Sequence, residues 1–426
     1  MEDILIVGAG VFGVSTAYHL ATTHPGPIRI TLLDRSPPPS TRAASNDVNR
    51  IIRADYSSKL YMELGFEAIE AWKTLPFFQG TGVYQQSGWI AMDEKGSDVP
   101  VRIRENFRAL NRDEVILDME EGEVRRSWGG LLARTDCEPF GSYYYNPSAG
   151  WADAGKGLSI MAEEAVRRGV RYEVGEVRRV LLGENGVRGV ETETGEVYMA
   201  DKVLLATGAW TSYLMSAVED ELRMRDEERI ERQISAAGVC VAYFQLSEAE
   251  KKQYSQLPVF VYGGQGEVIP PTTSGELKFT IATSFKNTIK TPSGHEISVP
   301  AAHSVDVPQD LKDDCVFSVK KRLPQLLDHG RHPDRYRIFW DAISPAQQPL
   351  ITRHPDPRLS NLYFSVGGSF HCYKFLPVIG KYVANVLNGV GNGMEKDQAW
   401  SWKPTEGGER GVHESLVPKR ELRDFV

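Results

Sequence analysis

The stretch Ile4-Leu5-Ile6-Val7-Gly8-Ala9-Gly10-Val11-Phe12-Gly13 decides the fold of this chain. Four consecutive apolar residues predict a short buried strand, and the glycine pattern G-x-G-x-x-G leads into a helical run from Val14 to Ala21. After the turn His24-Pro25-Gly26-Pro27, the run Ile28 to Leu33 predicts a second apolar strand that ends at Asp34. Pro37-Pro38-Pro39 closes a βαβ unit. Gly8 permits the tight turn, Gly10 lets backbone approach a pyrophosphate, and Gly13 lets the helix pack closely on the sheet. The helix start offers free N–H groups and a positive dipole end to phosphates. Asp34, with Arg35 beside it, is placed to meet ribose hydroxyls. A purely structural glycine turn is the competing reading, and the strand, helix and acid around the motif argue against it. The motif alone suits NAD and FAD equally.

Further along, an amphipathic helix is predicted over 58–74, with Leu60, Leu64 and Ile69 inward. A strand-like segment spans Gly82 to Met92, and a charged helical region extends from Val99 to Arg126. Residues 155–169 predict a helix with Gly169 as its C-terminal stop. Short strands around Glu184-Asn185-Gly186 and Glu193-Thr194-Gly195 lead to Val203-Leu204-Leu205-Ala206-Thr207-Gly208. The stretch 234–320 is mostly strand-like, and the tail beyond Gly391 is polar and irregular. The fold class is therefore α/β: a Rossmann-type nucleotide domain interleaved with a mixed or antiparallel sheet carrying helices. The expected division gives 1–85, 145–233 and 346–426 to the nucleotide domain, and 86–144 and 234–345 to the substrate domain.

A chain of 426 residues can bury two or three cores. Its net charge of −8, without a basic stripe, argues against nucleic acid as a partner. No apolar run reaches the roughly 18–20 residues of a membrane span. Neither a secretory signal nor a peroxisomal C-terminal tripeptide is legible. Cys137, Cys240, Cys315 and Cys372 are scattered, which suits free thiols and a cytoplasmic setting. His329 and His332 lack partner ligands at useful spacing, so no metal is expected. A monomer is the expected state.

A second cofactor-side element is Ala206-Thr207-Gly208-Ala209-Trp210, where an apolar strand ends on glycine and tolerates close approach. Further pieces are Ala44-Ser45-Asn46-Asp47-Val48-Asn49-Arg50, Ala149-Gly150-Trp151-Ala152, Gly275-Glu276-Leu277-Lys278, and the run Gly367-Gly368-Ser369-Phe370-His371-Cys372-Tyr373-Lys374-Phe375-Leu376-Pro377. Taken in this order over nearly the whole chain, they resemble the sarcosine oxidase family of FAD enzymes. Within it, the similarity is to the fungal amadoriase (fructosyl amino acid oxidase) and saccharopine or pipecolate oxidase branch. The resemblance implies FAD as cofactor, held by Gly8, Gly10, Val11, Phe12, Gly13, Asp34 and Arg35 at the nucleotide end. Ser45, Asn46, Asp47, Asn49, Arg50 and Val177 follow, then Ala206, Thr207, Gly208 and Trp210, and finally Gly368, Phe370, His371, Cys372, Tyr373 and Lys374.

The resemblance also implies a substrate side. Arg53 falls where the family places a carboxylate-binding arginine, and Lys374 would complete the clamp. Strand alternation turns Leu277, Phe279 and Ile281 to one face and Lys278, Thr280 and Ala282 to the other. Lys278 is then expected beside the flavin, where a cation stabilises charge as oxygen is reduced. Solvated arginines and an ordinary strand lysine are the bland alternatives.

Two departures shape the expectation. Phe339, in Ile338-Phe339-Trp340-Asp341, occupies the place of the family's flavin-linking cysteine, so FAD is expected to bind non-covalently unless Cys372 substitutes. Ala282 stands where the amadoriase branch has a sugar-contacting carboxylate, and Trp400-Ser401-Trp402-Lys403 replaces that branch's arginine-rich segment. The expected function is oxidation of the C–N bond of a secondary or cyclic amino acid to an imine, with oxygen as acceptor and hydrogen peroxide as product. The alternatives are a deglycating oxidase, a flavin dehydrogenase or tailoring enzyme on an elaborated amine, and a silent flavin-binding protein.

Overall fold

The structure is a computed structural model that describes residues 1–184, 186–302, 306–403 and 417–426, the side chain of Glu114 aside. Asn185 of the second predicted turn and residues 404–416 of the tail lie outside the described residues.

The opening apolar residues form the strand Glu2–Val7, and the glycine turn feeds the helix Val11–Thr23. The helix starts three residues earlier than its apolar run suggests, because Gly10 already serves as N-cap. Ile28–Asp34 returns parallel to the first strand, with Ile4 opposite Ile30 and Ile6 opposite Leu32. On the other side, Lys202–Leu205 also pairs in parallel, Val7 facing Leu205. Leu362–Val366 extends this sheet in parallel, Leu350–Arg353 closes that edge antiparallel, and Arg171–Val174 closes the other. A parallel sheet is buried on both faces, which explains the unbroken apolar runs of its central strands. The helix Ile379–Leu387 crosses the first helix so closely that a Cβ on Gly380 would stand 2.1 Å from backbone atoms of Ser15.

The second sheet has nine strands and is mostly antiparallel. Its centre is Ser235–Gln245 paired with Glu276–Lys286, flanked by Arg335–Ile343. Trp89–Glu94, Leu117–Met119 and Phe140–Asn146 extend the other end. One face, with Phe244, Leu277, Phe279 and Ile281, packs in a core with Leu311, Cys315 and Val319 of the helix Gln309–Arg322. Val239, Val241, Lys278, Thr280 and Ala282 line a cavity.

The structure corrects three local expectations. The region 99–126 is two helices, Val99–Ala109 and Glu121–Arg126, separated by the strand Leu117–Met119. The stretch 234–320 contains the helices Glu248–Tyr254 and Gln309–Arg322 among its strands. The tail carries the helix Met394–Trp400, with Trp400 buried against Tyr382, and Arg420–Glu421 pairs with Phe285–Lys286 of the large sheet.

Candidate active site

A cavity of about 570 Å³ runs from the glycine turn to the large sheet. At the nucleotide end, Gly8 has φ +101°, and a Cβ there would stand 2.5 Å from the Ala206 carbonyl oxygen. Gly13 does not line the cavity; its missing Cβ would sit 1.8 Å from the Gly8 carbonyl oxygen, so it serves the helix–turn packing. Gly10 has no side chain with which to cap the helix. Ser45 Oγ accepts the Val11 N–H at 2.9 Å, and no side chain among the described residues takes those of Gly10, Phe12 or Gly13. A negatively charged group fits this cradle. Asp34 Oδ2 accepts the Ala9 N–H at 2.8 Å, which orients its carboxylate at the cavity edge. Arg35 and Arg42 stack on Trp210 at 4.5 and 5.6 Å, and Val177, Thr207 and Gly208 complete this wall.

In the middle, the loop before strand Arg50–Ile52 is tied to the large sheet. Lys278 is fully buried and donates to Asp47 Oδ2 at 2.5 Å and to the Asn49 carbonyl at 2.9 Å. Tyr243 donates to Asp47 Oδ1 at 2.7 Å, and Arg50 also binds this carboxylate. Burial alone would raise the Asp47 pKa, but the charges of Lys278 and Arg50 outweigh it and bring it down to about 2. Burial, followed by the Arg50 charge, lowers Lys278 to about 8 despite Asp47. Lys278 lines the cavity, whereas Asn46, Asp47 and Asn49 stand behind the wall and brace it. Asn49 donates to the Pro270 carbonyl at 3.0 Å.

Phe339 lines the cavity between two guanidinium groups, Arg50 at 4.7 Å and Arg337 at 4.1 Å from its ring. Beyond it, the turn after strand Leu362–Val366 holds two non-glycine residues at positive φ, Ser369 at 47° and Phe370 at 64°. Such backbone persists only where it is held. Ser369 N–H donates to the Ala342 carbonyl at 2.9 Å and Phe370 N–H to Asp341 Oδ2 at 2.8 Å. Gly368, Phe370, His371, Cys372, Tyr373 and Lys374 are thereby delivered to the cavity. Burial pushes the Cys372 thiol well up, so it stays protonated.

At the far end, Arg53 stacks on Tyr56 at 4.4 Å and Trp89 at 4.8 Å, with no hydrogen bond or ion pair among the described residues. Lys374 is buried, donates to the His371 carbonyl, and lies 5.3 Å from the Tyr56 ring. Burial, then the Arg53 charge, drives its pKa well below the ordinary lysine value. Tyr56 also meets His371 Nδ1 at 3.1 Å. Sequence reading missed Tyr56, Trp89, Asp341 and the cavity-lining Glu267. Tyr56 lies three residues past Arg53, and Glu267 directly follows a glycine-rich loop, so both had local signals.

A dinucleotide-type cradle opening on a cavity also lined by Lys278, Arg53 and Lys374 fits the class of nucleotide-cofactor oxidoreductases. Residues 3–386 match the FAD dependent oxidoreductase family, and the chain belongs to that family. L-saccharopine oxidase of Schizosaccharomyces pombe is 27% identical, the match covering 94% of this chain and 93% of that protein. Peroxisomal sarcosine oxidase of Homo sapiens is 25% identical over 89% of this chain and 90% of its own. Among solved structures, the deglycating fructosamine oxidase (Amadoriase II) of Aspergillus fumigatus superposes with a TM-score of 0.83 at 25% identity, covering 100% of this chain and 96% of that one. Among the described residues, no helix is long and apolar enough to cross a membrane, and no cluster suited to a metal ion occurs.

Proposed function

We propose that this protein oxidises the C–N bond of a secondary amino acid, N-substituted or cyclic, to an imine, with oxygen as acceptor and hydrogen peroxide as product. The carrying observation is the pair Arg53 and Lys374: two basic side chains that line one cavity and form no ion pair among the described residues. Two neighbouring cations destabilise each other, and a substrate carboxylate relieves both. Bound FAD would supply the two-electron oxidation. Arg53 and Lys374 would hold the carboxylate and so orient the adjacent C–N bond. The ring faces of Tyr56 and Trp89 fix the Arg53 guanidinium in place. Lys278, held by Asp47, would keep a positive charge at the wall where oxygen is reduced. The imine, once released to water, hydrolyses to an amine and a carbonyl compound.

Three details refine the reading. Phe339 presents a ring and no thiol, and Cys372 is held as a protonated thiol, which supports non-covalent FAD. Ala282 offers the cavity only a methyl group, which supports a secondary amino acid ahead of a fructosyl amine, the alternative substrate. The four buried free cysteines suit a reducing compartment such as the cytoplasm.

The test is to load the protein with FAD and follow its visible spectrum without oxygen while sarcosine, N-methyl aromatic amino acids, pipecolate, saccharopine and a fructosyl amino acid are added in turn. Bleaching by a secondary amino acid, with peroxide formed when air is readmitted, is expected. A flavin that none of them reduces overturns the proposed substrate class. Acid precipitation should release the yellow colour into the supernatant; colour retained in the pellet contradicts non-covalent binding.

A further inference from the structure

A secondary amino acid carries an ammonium at neutral pH, and hydride can leave the neighbouring carbon only once the nitrogen has a free electron pair. The proposed chemistry therefore needs a group beside the clamp that takes one proton. Of the cavity's acids, Asp34 accepts the Ala9 N–H at the nucleotide end, Asp341 accepts the N–H groups of Phe370 and Ala342, and Glu267 accepts the Thr280 hydroxyl. Lys278 is committed to Asp47 and the Asn49 carbonyl. Tyr56 lines the same cavity and adjoins both clamp residues, its ring 4.4 Å from the Arg53 guanidinium and 5.3 Å from Lys374 Nζ.

The Tyr56 hydroxyl has a defined outlet. Tyr56 Oη lies 3.1 Å from His371 Nδ1, and His371 Nε2 lies 2.9 Å from the Gln347 carbonyl oxygen. A carbonyl only accepts, so Nε2 carries the hydrogen and Nδ1 turns a lone pair to the Tyr56 O–H. The backbone of all three residues is held: Asn106 Nδ2 donates to the Tyr56 carbonyl at 3.1 Å, His371 N–H to the Gly368 carbonyl at 2.9 Å, and Gln347 N–H to the Ser344 carbonyl at 3.0 Å. Besides Arg53 and Lys374, the charged and titratable neighbours are Cys372, Tyr61 and Asp55. Cys372 Sγ lies 4.0 Å from Nδ1, and the Tyr61 ring is 5.4 Å from that of His371, its hydroxyl accepting the Trp400 indole N–H at 3.2 Å. Buried Asp55 accepts from Asn146 Nδ2 at 2.9 Å. Burial raises the Tyr56 pKa, so this phenol does not keep a negative charge and can only hand a proton on.

We propose that Tyr56 and His371 form the proton relay that frees the substrate amine for oxidation. A proton of the bound ammonium passes to Tyr56 Oη as the Tyr56 proton passes to His371 Nδ1. One N–H bond breaks at the substrate and one forms at His371; Tyr56 ends as the phenol it was, and the net charge of the site is unchanged. Both electrons of the C–H bond then leave as hydride to bound FAD, and the substrate becomes a protonated imine. Tyr56 is the catalytic residue, since it touches the amine, and His371 is a positioning residue that acts through it. An imidazolium beside Arg53 and Lys374 is costly until a substrate carboxylate offsets their charge, which ties the relay to an occupied clamp. The relay rests on the proposed amine oxidation.

The experiment is rapid anaerobic mixing of the FAD-loaded protein with whichever of sarcosine, pipecolate and saccharopine bleaches the flavin fastest, at saturating concentration from about pH 7 to 10. The limiting rate of the unmodified protein should change little over this range. Tyr56→Phe keeps the ring that carries Arg53 and removes only the hydroxyl. Its rate should fall about 100-fold or more at pH 7 and recover about tenfold per pH unit, as free amine becomes the sole reactant. His371→Gln should show the same rising profile, so either variant suffices if the other fails to fold. Acetate, followed by its perturbation of the flavin spectrum, should bind Tyr56→Phe within about twofold of the unmodified protein, because the clamp is intact. A variant rate equal to the unmodified one at pH 7, or lower by one factor at every pH, overturns the relay, and so does a loss confined to acetate affinity. A tenfold-per-unit rise already present in the unmodified protein overturns it without any variant. Flavin reduction with any of these results sinks the relay alone; no reduction by any secondary amino acid sinks the oxidation reading and the relay with it.

Discussion

At Lys374 burial and the neighbouring Arg53 charge push the ammonium in the same direction, towards neutrality. Neither Lys374 nor Arg53 forms an ion pair among the described residues, and a substrate carboxylate would stabilise both charges. Charge-assisted hydrogen bonds contribute about 1.5–3 kcal/mol each, so Arg53→Met and Lys374→Met should each raise KM for a carboxylate substrate about 10- to 100-fold. Steady-state kinetics on the acid and its amide check this; equal losses on both would remove the clamp. Lys278 makes the second prediction. Its pKa falls from 10.5 to about 8, chiefly through burial and then through Arg50. The cation is present below that value and lost above it, so reoxidation of reduced enzyme by oxygen should slow above about pH 8. Rapid-mixing kinetics would show this, and Lys278→Met should be slow and flat across the same range. Stability runs the other way: between about 8 and 10.5 the folded state binds fewer protons than the unfolded, so this lysine's contribution rises with pH.

Among the elements, the crossing of the helices Val11–Thr23 and Ile379–Leu387 is the most demanding contact. Ser15 Oγ accepts the Gly380 N–H at 2.8 Å, and a Cβ at Gly380 would overlap the Ser15 backbone. Gly380→Ala must force the helices apart and is expected to cost about 3 kcal/mol or more, read from urea unfolding; a loss below about 1 kcal/mol would show that the crossing relaxes. Because the first helix also builds the phosphate cradle, weaker FAD retention should accompany it. Elements were legible where period and length agreed, as in Glu2–Val7 and Lys59–Thr74. The helix Gln309–Arg322 was not, because its buried apolar stripe is only Leu311, Cys315 and Val319 in an otherwise polar and charged sequence that also buries Ser318 and Arg322. Glu248–Tyr254 carried a capping box, Ser247 with Glu250, but buries only Tyr254, too little apolar signal against neighbouring strands.

For the whole molecule, Asp47 is the weld between the loop of the nucleotide half and the large sheet, through Lys278 and Tyr243. Removing one partner of a buried pair costs about 3–5 kcal/mol, so Asp47→Asn should lower unfolding stability by that order. The pH dependence gives a separate readout. With its pKa depressed from 3.8 to about 2, Asp47 contributes fully above 3.8, and that contribution is lost as pH falls towards 2. The unmodified protein should therefore lose stability across this window more steeply than Asp47→Asn; parallel curves would show that the pair does not couple the halves.

The glycine turn, its flanking strands and the acid at Asp34 announced a dinucleotide fold because each condition is local, resting on residues within one βαβ unit. The run at Gly367 was legible through its resemblance to the family, whereas its positive-φ backbone falls on Ser369 and Phe370 as well as on Gly367. What pairs with what across the chain was not. Asp47 looked like a cofactor contact, and folding turned it to Lys278, 231 residues away. Glu267 drew no attention as one acid among many, and only strand register sets it across from Thr280, on the wall of the cavity that Arg53 and Lys374 also line. Long-range register and burial govern which charges are paired and which are left for a ligand. Neither is written in the spacing of neighbouring residues.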